Sequence, residues 1–155
     1  MTELPRLAPL DVGSALYQNL LAALASLRDQ AVPVRVQGFG LLHFKLTAAL
    51  RVDQRYRPDQ VKQQVLDALN SAFSFEQREF AQPVTRAEVT TIIQAVAGVV
   101  AVNLTAFART DAGSGEVREL LTADRATWNA GLVRPAQLLL LYPTVEGVTF
   151  EDMEP

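Results

Sequence analysis

A strict alternation over residues 42–53 constrains the fold of this chain more than any other feature. One phase of the alternation is apolar throughout and consists of Leu42, Phe44, Leu46, Ala48, Leu50 and Val52. The other phase is mainly polar and consists of His43, Lys45, Thr47, Ala49, Arg51 and Asp53. Successive side chains of a strand point to opposite faces of a sheet. The pattern therefore predicts a long strand with one buried face and one face in contact with water.

Three other segments have the apolar spacing of amphipathic helices. The first covers residues 12–29, and its stripe is formed by Leu16, Leu20, Leu24 and Leu27. The second begins at Pro58, a residue favoured at the first helical position, and its buried face is formed by Val61, Val65, Leu69 and Phe73. The third begins at a capping box, in which the Thr85 hydroxyl and the Glu88 carboxylate satisfy backbone donors. Its apolar residues are Val89, Ile92, Ile93 and Val96, and Gly98 ends it.

The remaining segments complete an α+β pattern. Short strands are predicted over 34–36, 99–109, 136–142 and 148–151. Residues 1–10 contain two prolines and no periodicity, which indicates an extended lead-in. Residues 110–135 are predicted to be a loop-rich excursion.

This order of elements predicts a single α+β domain over residues 11–155. We expect a two-layer sandwich, with the helices on one face of a mixed, mostly antiparallel sheet. The long strand, the two following helices and the strand at 99–109 are predicted to form a right-handed βα(α)β crossover. That arrangement gives the fold a ferredoxin-like tendency.

Composition excludes several classes of function. The apolar fraction of 49% argues against a disordered chain. The net charge of −3, with scattered basic residues, predicts no nucleic-acid partner. The absence of cysteine excludes disulfides and metal–thiolate sites. No apolar run approaches the length of a membrane span, and the N-terminus lacks the basic residues of a signal peptide, so we expect synthesis in the cytoplasm without export.

The usual sets of catalytic residues are missing from the sequence. His43 is the single histidine, and it lies on the polar phase of the long strand, where a surface role is far more common than catalysis. The Gly113-Ser114-Gly115 sequence lacks the lysine of a phosphate loop. Arg78 stands between Glu76 and Glu79, where it is expected to pair with one of them or to cap a carbonyl. We therefore predict a protein that is not an enzyme and has no catalytic, cofactor or metal site.

Aromatic residues are concentrated after the second helix. Phe73, Phe75 and Phe80 lie in an irregular connector over residues 74–84 and at its start. The favoured interpretation is a core plug that holds two helices to the sheet. The alternative is a patch that binds a partner.

The sequence over residues 34–104 resembles the C-terminal region of the baseplate J-like proteins, also called putative baseplate assembly proteins, of contractile phage tails and contractile injection systems. Three blocks carry the resemblance: Leu50-Arg51-Val52-Asp53 with Tyr56; Val61, Val65 and Ala68-Leu69; and Glu88-Val89 with Ile93-Gln94 and Val96-Ala97-Gly98-Val99. A fourth and more distinctive block contains Phe73-Ser74-Phe75, Arg78, Phe80 and Gln82-Pro83-Val84. Ala81 departs from the family pattern, in which glycine is expected, and members of the family are usually longer.

The resemblance implies a structural wedge component of a baseplate that acts through protein–protein contacts. The implied partners are other wedge subunits, copies of the chain in neighbouring wedges, and hub or sheath proteins, within a virion or injection particle assembled in the cytoplasm. The family offers no catalytic residues to transfer. The candidate interface residues are Phe73, Phe75, Arg78, Phe80, Gln82, Pro83 and Trp128.

Two other functions remain open at this stage. The order of helices and strands also fits a small-molecule-binding regulatory module of ferredoxin-like type, which predicts an apolar pocket with converging polar groups. An enzyme that used His43 would need Asp53 or Glu76 beside the imidazole ring. For contacts with neighbours, we expect either the polar phase of the long strand or the loop over 110–119 together with Trp128.

Overall fold

The computed structural model of the protein describes residues 11–27, 29, 31–113 and 115–153, so the predicted lead-in lies outside the described residues. The chain divides into two compact units, with the boundary between Phe39 and Gly40. The α+β domain therefore begins at Gly40.

The described residues of the first unit contain one helix, α1 (Ala15–Leu27), which confirms the prediction from its leucine spacing. The Ser14 hydroxyl accepts a hydrogen bond from the Tyr17 N–H group and caps its start. No residue of α1 is buried. The strand predicted at 34–36 is absent, and residues 33–39 adopt no regular structure. Strand propensity alone does not form a strand, because the backbone groups need a paired neighbour.

The second unit follows the predicted order of strands and helices. In chain order its elements are β1 (Gly40–Val52), α2 (Pro58–Ala72), β2 (Val84–Thr85), α3 (Arg86–Gln94), β3 (Val99–Arg109), β4 (Leu120–Leu121), β5 (Thr127–Asn129), β6 (Leu132–Arg134), β7 (Gln137–Leu141) and β8 (Val148–Asp152). The predicted loop-rich excursion thus contains three short strands. Of these, β4 pairs with β2, and β5 forms a hairpin with β6.

The main sheet is built around β1. On one side, β3 pairs antiparallel to β1. On the other side, β7 runs parallel to residues 40–44 of β1 and β8 runs parallel to residues 46–50. Together with the antiparallel β2–β4 and β5–β6 pairs, this sheet confirms the predicted α+β sandwich with mixed, largely antiparallel strands. Because β1 and β3 are antiparallel neighbours, the two helices between them do not form a parallel crossover, and the rule of right-handedness does not apply.

The hydrophobic core of the second unit lies between α2, α3 and one face of the main sheet. It contains the apolar phase of β1, whose central residues Phe44, Leu46, Ala48 and Leu50 are buried. The buried residues of the helices that pack against them are Val61, Val65 and Leu69 of α2 and Val89 and Ile93 of α3. Each fully buried side chain of this size contributes about 1.5–3 kcal/mol of transfer free energy. The alternation in β1 thus predicted the face that packs in the core, although Ala49 of the polar phase is also buried.

Candidate functional site

The connector between α2 and β2 carries most of the predicted interface residues, and it begins in the core. Phe73 follows the last residue of α2 and is buried. Its ring packs edge-on against Phe44 of β1, with the ring centroids 5.2 Å apart. Edge-to-face pairs of this kind contribute beyond the area that they bury. Phe73 is therefore a core residue, and the core-plug interpretation is confirmed for this one of the three phenylalanines.

Arg78 fixes the path of the connector from inside the protein. Its side chain is only 2% exposed. The guanidinium donates hydrogen bonds to the carbonyl oxygens of Pro83 at 2.7 Å and of Gln82 at 3.3 Å, and it lies over the Phe73 ring. It also forms an ion pair with Glu88 of α3 at 3.2 Å. Burial lowers the pKa of Arg78, whereas Glu88 opposes this shift.

These contacts refine two predictions made from the sequence. Arg78 does cap carbonyl groups, but its ionic partner is Glu88 and not Glu76 or Glu79. The Thr85 hydroxyl accepts a hydrogen bond from the Glu88 N–H group at 3.0 Å, as the capping box requires. The Glu88 carboxylate accepts from Arg78, so only the Thr85 half of the capping box forms as predicted. Glu88 thus stabilises the connector as well as the helix.

The tip of the connector is a turn with a left-handed residue. The Gln82 side-chain oxygen accepts a hydrogen bond from the Glu79 N–H group at 2.9 Å. Ala81 has a φ of 59°, in the region that favours glycine. Its N–H group donates to the Gln137 carbonyl at 2.8 Å, which ties the turn to β7. The departure from glycine that the sequence showed at Ala81 therefore falls on a residue whose backbone is strained.

Two phenylalanines of the same connector are presented at the surface. Phe75 is 55% exposed and Phe80 is 54% exposed, and we call this pair the aromatic ridge. An open cleft of about 450 Å³ is lined by Phe75, Arg78, Glu79, Phe80 and Leu138. A second cleft of about 500 Å³ lies beside Phe80 and is lined in part by Pro83, Arg125 and Ala136. The connector therefore combines a buried anchor with an exposed apolar surface.

Trp128 lies on β5, at a different place from the residues of the connector. The hairpin of β5 and β6 turns at Ala130 and Gly131, both of which have positive φ. Trp128 is 52% exposed. Arg125 and Ala126, which precede β5, line the cleft beside Phe80. The chain thus runs from that cleft into the hairpin that carries Trp128.

His43 lies far from Asp53, one of the two carboxylates that an enzyme using this histidine would need. Its imidazole is half-buried against Tyr142, with ring centroids 5.7 Å apart, and burial lowers the pKa of the imidazole. Asp53 is ten positions further along the same extended chain, or roughly 33 Å away at the rise of a strand. Asp53 binds Arg55 instead, which lowers the pKa of its carboxyl to about 2. No side-chain hydrogen bond or ion pair joins His43 to a carboxylate among the described residues.

The polar face of the sheet carries a further cleft, of about 350 Å³. Its lining includes Lys45, Thr47, Arg109, Glu146 and Thr149. Lys45 contacts the Glu146 carboxylate at 3.4 Å and lies over the Tyr142 ring at 4.3 Å. Across the described part of the chain, no group of three or more His, Asp or Glu side chains is placed to hold a metal ion. No helix in that part is long and apolar enough to cross a membrane.

Contacts that join distant parts of the chain leave no signal in the local sequence. Arg78 and Glu88 are separated by ten residues, which is not a helical spacing, and the Thr105–Glu151 hydrogen bond joins two different strands. No local pattern identifies such pairs.

No protein-family model matches the chain, and no curated protein matches it.

Proposed function

We propose that this protein is a structural component of the baseplate wedge of a contractile tail or contractile injection system. In this role it acts through contacts with other wedge subunits, with copies of itself, and with hub or sheath proteins. The observation that carries the proposal is the connector over residues 73–83, where the resemblance to baseplate J-like proteins is most distinctive. The aromatic ridge is its exposed part.

The physical form of the connector fits a binding surface for another protein. Exposed aromatic side chains supply large contact areas with little loss of conformational freedom, and they are enriched at protein interfaces. Here Phe75 and Phe80 flank Arg78, whose buried guanidinium holds the backbone of the connector. A rigid frame lowers the entropy that is lost when the surface binds. The surface is thus suited to permanent assembly.

A small-molecule-binding role has weaker support. An enclosed apolar pocket with converging polar groups is the usual form of such sites. The cleft on the polar face of the sheet is open, and Lys45 and Glu146, which line it, already contact each other. A thermal-shift screen tests this alternative, because a ligand of the folded state raises the melting temperature. The baseplate proposal predicts no such ligand.

The decisive experiment is purification of the tagged protein from cells that assemble its native particle. We expect sheath, tube or other baseplate proteins to co-purify with it. The double variant Phe75→Ser/Phe80→Ser should lose most of these proteins and keep its fold. Val145→Ser provides a matched control, because Val145 is 86% exposed and lies outside the aromatic ridge. Recovery of metabolic enzymes alone, or equal recovery by the ridge variant and the control, would refute the proposal.

A further inference from the structure

One edge of the main sheet lacks a neighbouring strand over most of its length. β1 covers one side of β3. On the other side, the described residues contribute a single parallel bridge, between Phe107 and Val117. There the Phe107 N–H group donates to Glu116 at 2.8 Å, and its carbonyl accepts from the Arg118 N–H group at 3.0 Å. The described part of the chain thus adds a short segment to the end of this edge and contributes no strand beside residues 99–106.

The hydrogen bonds around β1 show which peptide groups of β3 point outward. The carbonyl of His43 accepts from Thr110, and the N–H group of Asp53 donates to Gly98, so the odd-numbered residues of β1 bond towards β3. The register partners of Ala49 and Arg51 are Asn103 and Ala101. Because antiparallel strands alternate between the two directions, Asn103 and Ala101 bond to β1. The N–H and C=O groups of Val102 and Leu104 therefore point away from the sheet.

The composition of this edge does not prevent it from pairing with another strand. Natural proteins protect exposed edges with charged residues, prolines, β-bulges or very short strands. The register of β3 against β1 shifts beside Thr47 and beside Arg51, and residues 101–104 of β3 pair regularly between these two shifts. Residues 99–108 contain no charged residue and no proline, and three of the first four are valine. Val100 is 50% exposed. An open cleft of about 410 Å³ runs beside Val102 and Leu104. It is lined by Ala87, Thr90 and Thr91 of α3 and by Arg86 and Glu119, whose charges pair with each other at 2.7 Å.

The outward N–H and C=O groups of Val102 and Leu104 can form hydrogen bonds with the same groups on a second molecule. We propose that two copies of this chain pair through β3, antiparallel, about a two-fold axis at Asn103. Val102 of each copy then exchanges both backbone hydrogen bonds with Leu104 of the other. Such an interface is self-complementary, as two-fold symmetry requires. With no charge between residues 99 and 108, no like charges face each other across the axis.

The proposed function includes contacts between copies of this chain, and the inference adds their location and register without depending on the baseplate role. The pairing follows from the backbone of β3, whereas the aromatic ridge lies on the connector. Failure of the pairing would leave the recovery of tail proteins unchanged. Failure of the baseplate role would leave the pairing of purified protein unchanged.

Disulfide cross-linking tests the predicted register. The chain has no cysteine, so Asn103→Cys places a single thiol on the proposed axis. Residues opposite each other outside the hydrogen-bonded pairs have Cα atoms about 4.5 Å apart, which lies within the range of disulfides. We expect mild oxidation of the purified protein to give a covalent dimer. Val145→Cys is the control, because Val145 is 86% exposed and lies outside β3.

A second variant tests the interface without cross-linking. Asn103→Lys places two positive charges opposite each other across the axis, at an exposed position where the fold of one copy is preserved. We expect the unmodified protein to sediment as a dimer and Asn103→Lys to sediment as a monomer with an unchanged circular dichroism spectrum. The inference is overturned if the unmodified protein is monomeric at every concentration, or if Asn103→Cys dimerises no more than Val145→Cys. A dimer that Asn103→Lys leaves intact would also overturn it.

Discussion

Arg78 and Glu88 form an ion pair in which the two partners differ sharply in exposure. The guanidinium is 2% exposed and the carboxylate is 37% exposed, with 3.2 Å between them. The pair joins the connector after α2 to the first turn of α3. Because the Arg78 charge is buried, its partners must compensate for the lost hydration. The surface that we assign to assembly is thus held by a charged group inside the protein.

Removal of this buried charge should destabilise the fold. We expect Arg78→Ala to lower the free energy of unfolding by about 3 kcal/mol, because the carbonyls of Gln82 and Pro83 lose their donor. Glu88→Gln should lower it by about 1 kcal/mol, since the carboxylate is partly solvated. Urea denaturation measures both. The exposed Arg118–Glu116 pair provides the control, and Arg118→Ala should change stability by less than about 0.5 kcal/mol.

Two phenylalanines of the connector should differ in their effect on stability. Phe73 is 2% exposed and Phe75 is 55% exposed, although only one residue separates them. We expect Phe73→Ala to cost about 3–5 kcal/mol, and Phe75→Ala less than about 1 kcal/mol. Urea denaturation of the two variants provides the comparison. Equal losses would show that Phe75 also belongs to the core.

Ala81→Gly should stabilise the protein. Ala81 has a φ of 59°, and an alanine in this conformation is about 1 kcal/mol less favourable than glycine. Glycine also raises the conformational entropy of the unfolded chain, which offsets part of this gain. We therefore expect a net increase of about 0.5 kcal/mol in the free energy of unfolding. Ala126→Gly is the matched control, at an exposed position without positive φ, and it should lower stability instead. A loss in both variants would contradict the strain at Ala81.

Trp128→Ala should impair assembly more than folding. The side chain is 52% exposed on a two-stranded hairpin, so its removal leaves no cavity in the main core. We expect a change of less than about 1 kcal/mol in the free energy of unfolding. Under the proposed function, co-purification of tail proteins should fall in the same variant. Unfolding of the purified variant at room temperature would contradict this prediction.

The stability of the protein should fall in acid partly through His43. Burial lowers the pKa of this imidazole below 6.5, so the folded state favours the neutral form and the unfolded state binds the proton more readily. The contribution of His43 to the free energy of unfolding is therefore fully present above pH 6.5. It is lost as the pH falls through the pKa of His43 in the folded state. We expect His43→Gln to reduce this acid dependence. Urea denaturation of the unmodified protein and of His43→Gln at pH values from 6.5 downwards measures the difference. An equal loss of unfolding free energy in the two proteins would contradict the prediction.

Local sequence patterns predicted the elements whose residues repeat with a regular period. The alternation in β1 identified its buried phase, and the four-residue spacing of Val61, Val65 and Leu69 identified the buried face of α2. Thr85 was identified as a helix cap, and its hydroxyl accepts the expected hydrogen bond. These features depend on backbone geometry over one or two turns. For that reason the sequence is sufficient to predict them.

Contacts between distant segments could not be predicted in the same way. The Val34-Arg35-Val36 segment has strand propensity but no partner, whereas β7 and β8 become strands beside β1. Nothing in the spacing of the connector distinguishes the buried Phe73 from the exposed Phe75 and Phe80. The exposure of each ring depends on where the chain turns after α2 and on the donors that Arg78 supplies there.

The amino-acid sequence by itself determined the periods of β1, α2 and α3, and hence a helix-on-sheet domain with one buried sheet face. Only the tertiary structure decided that Arg78 binds Glu88, that β7 and β8 run parallel to β1, and that the backbone N–H and C=O groups of Val102 and Leu104 point outward from an edge. The physical reason is the range of the interactions. Periodicity follows from neighbouring residues, whereas pairing and burial depend on which distant segments the folded chain brings together.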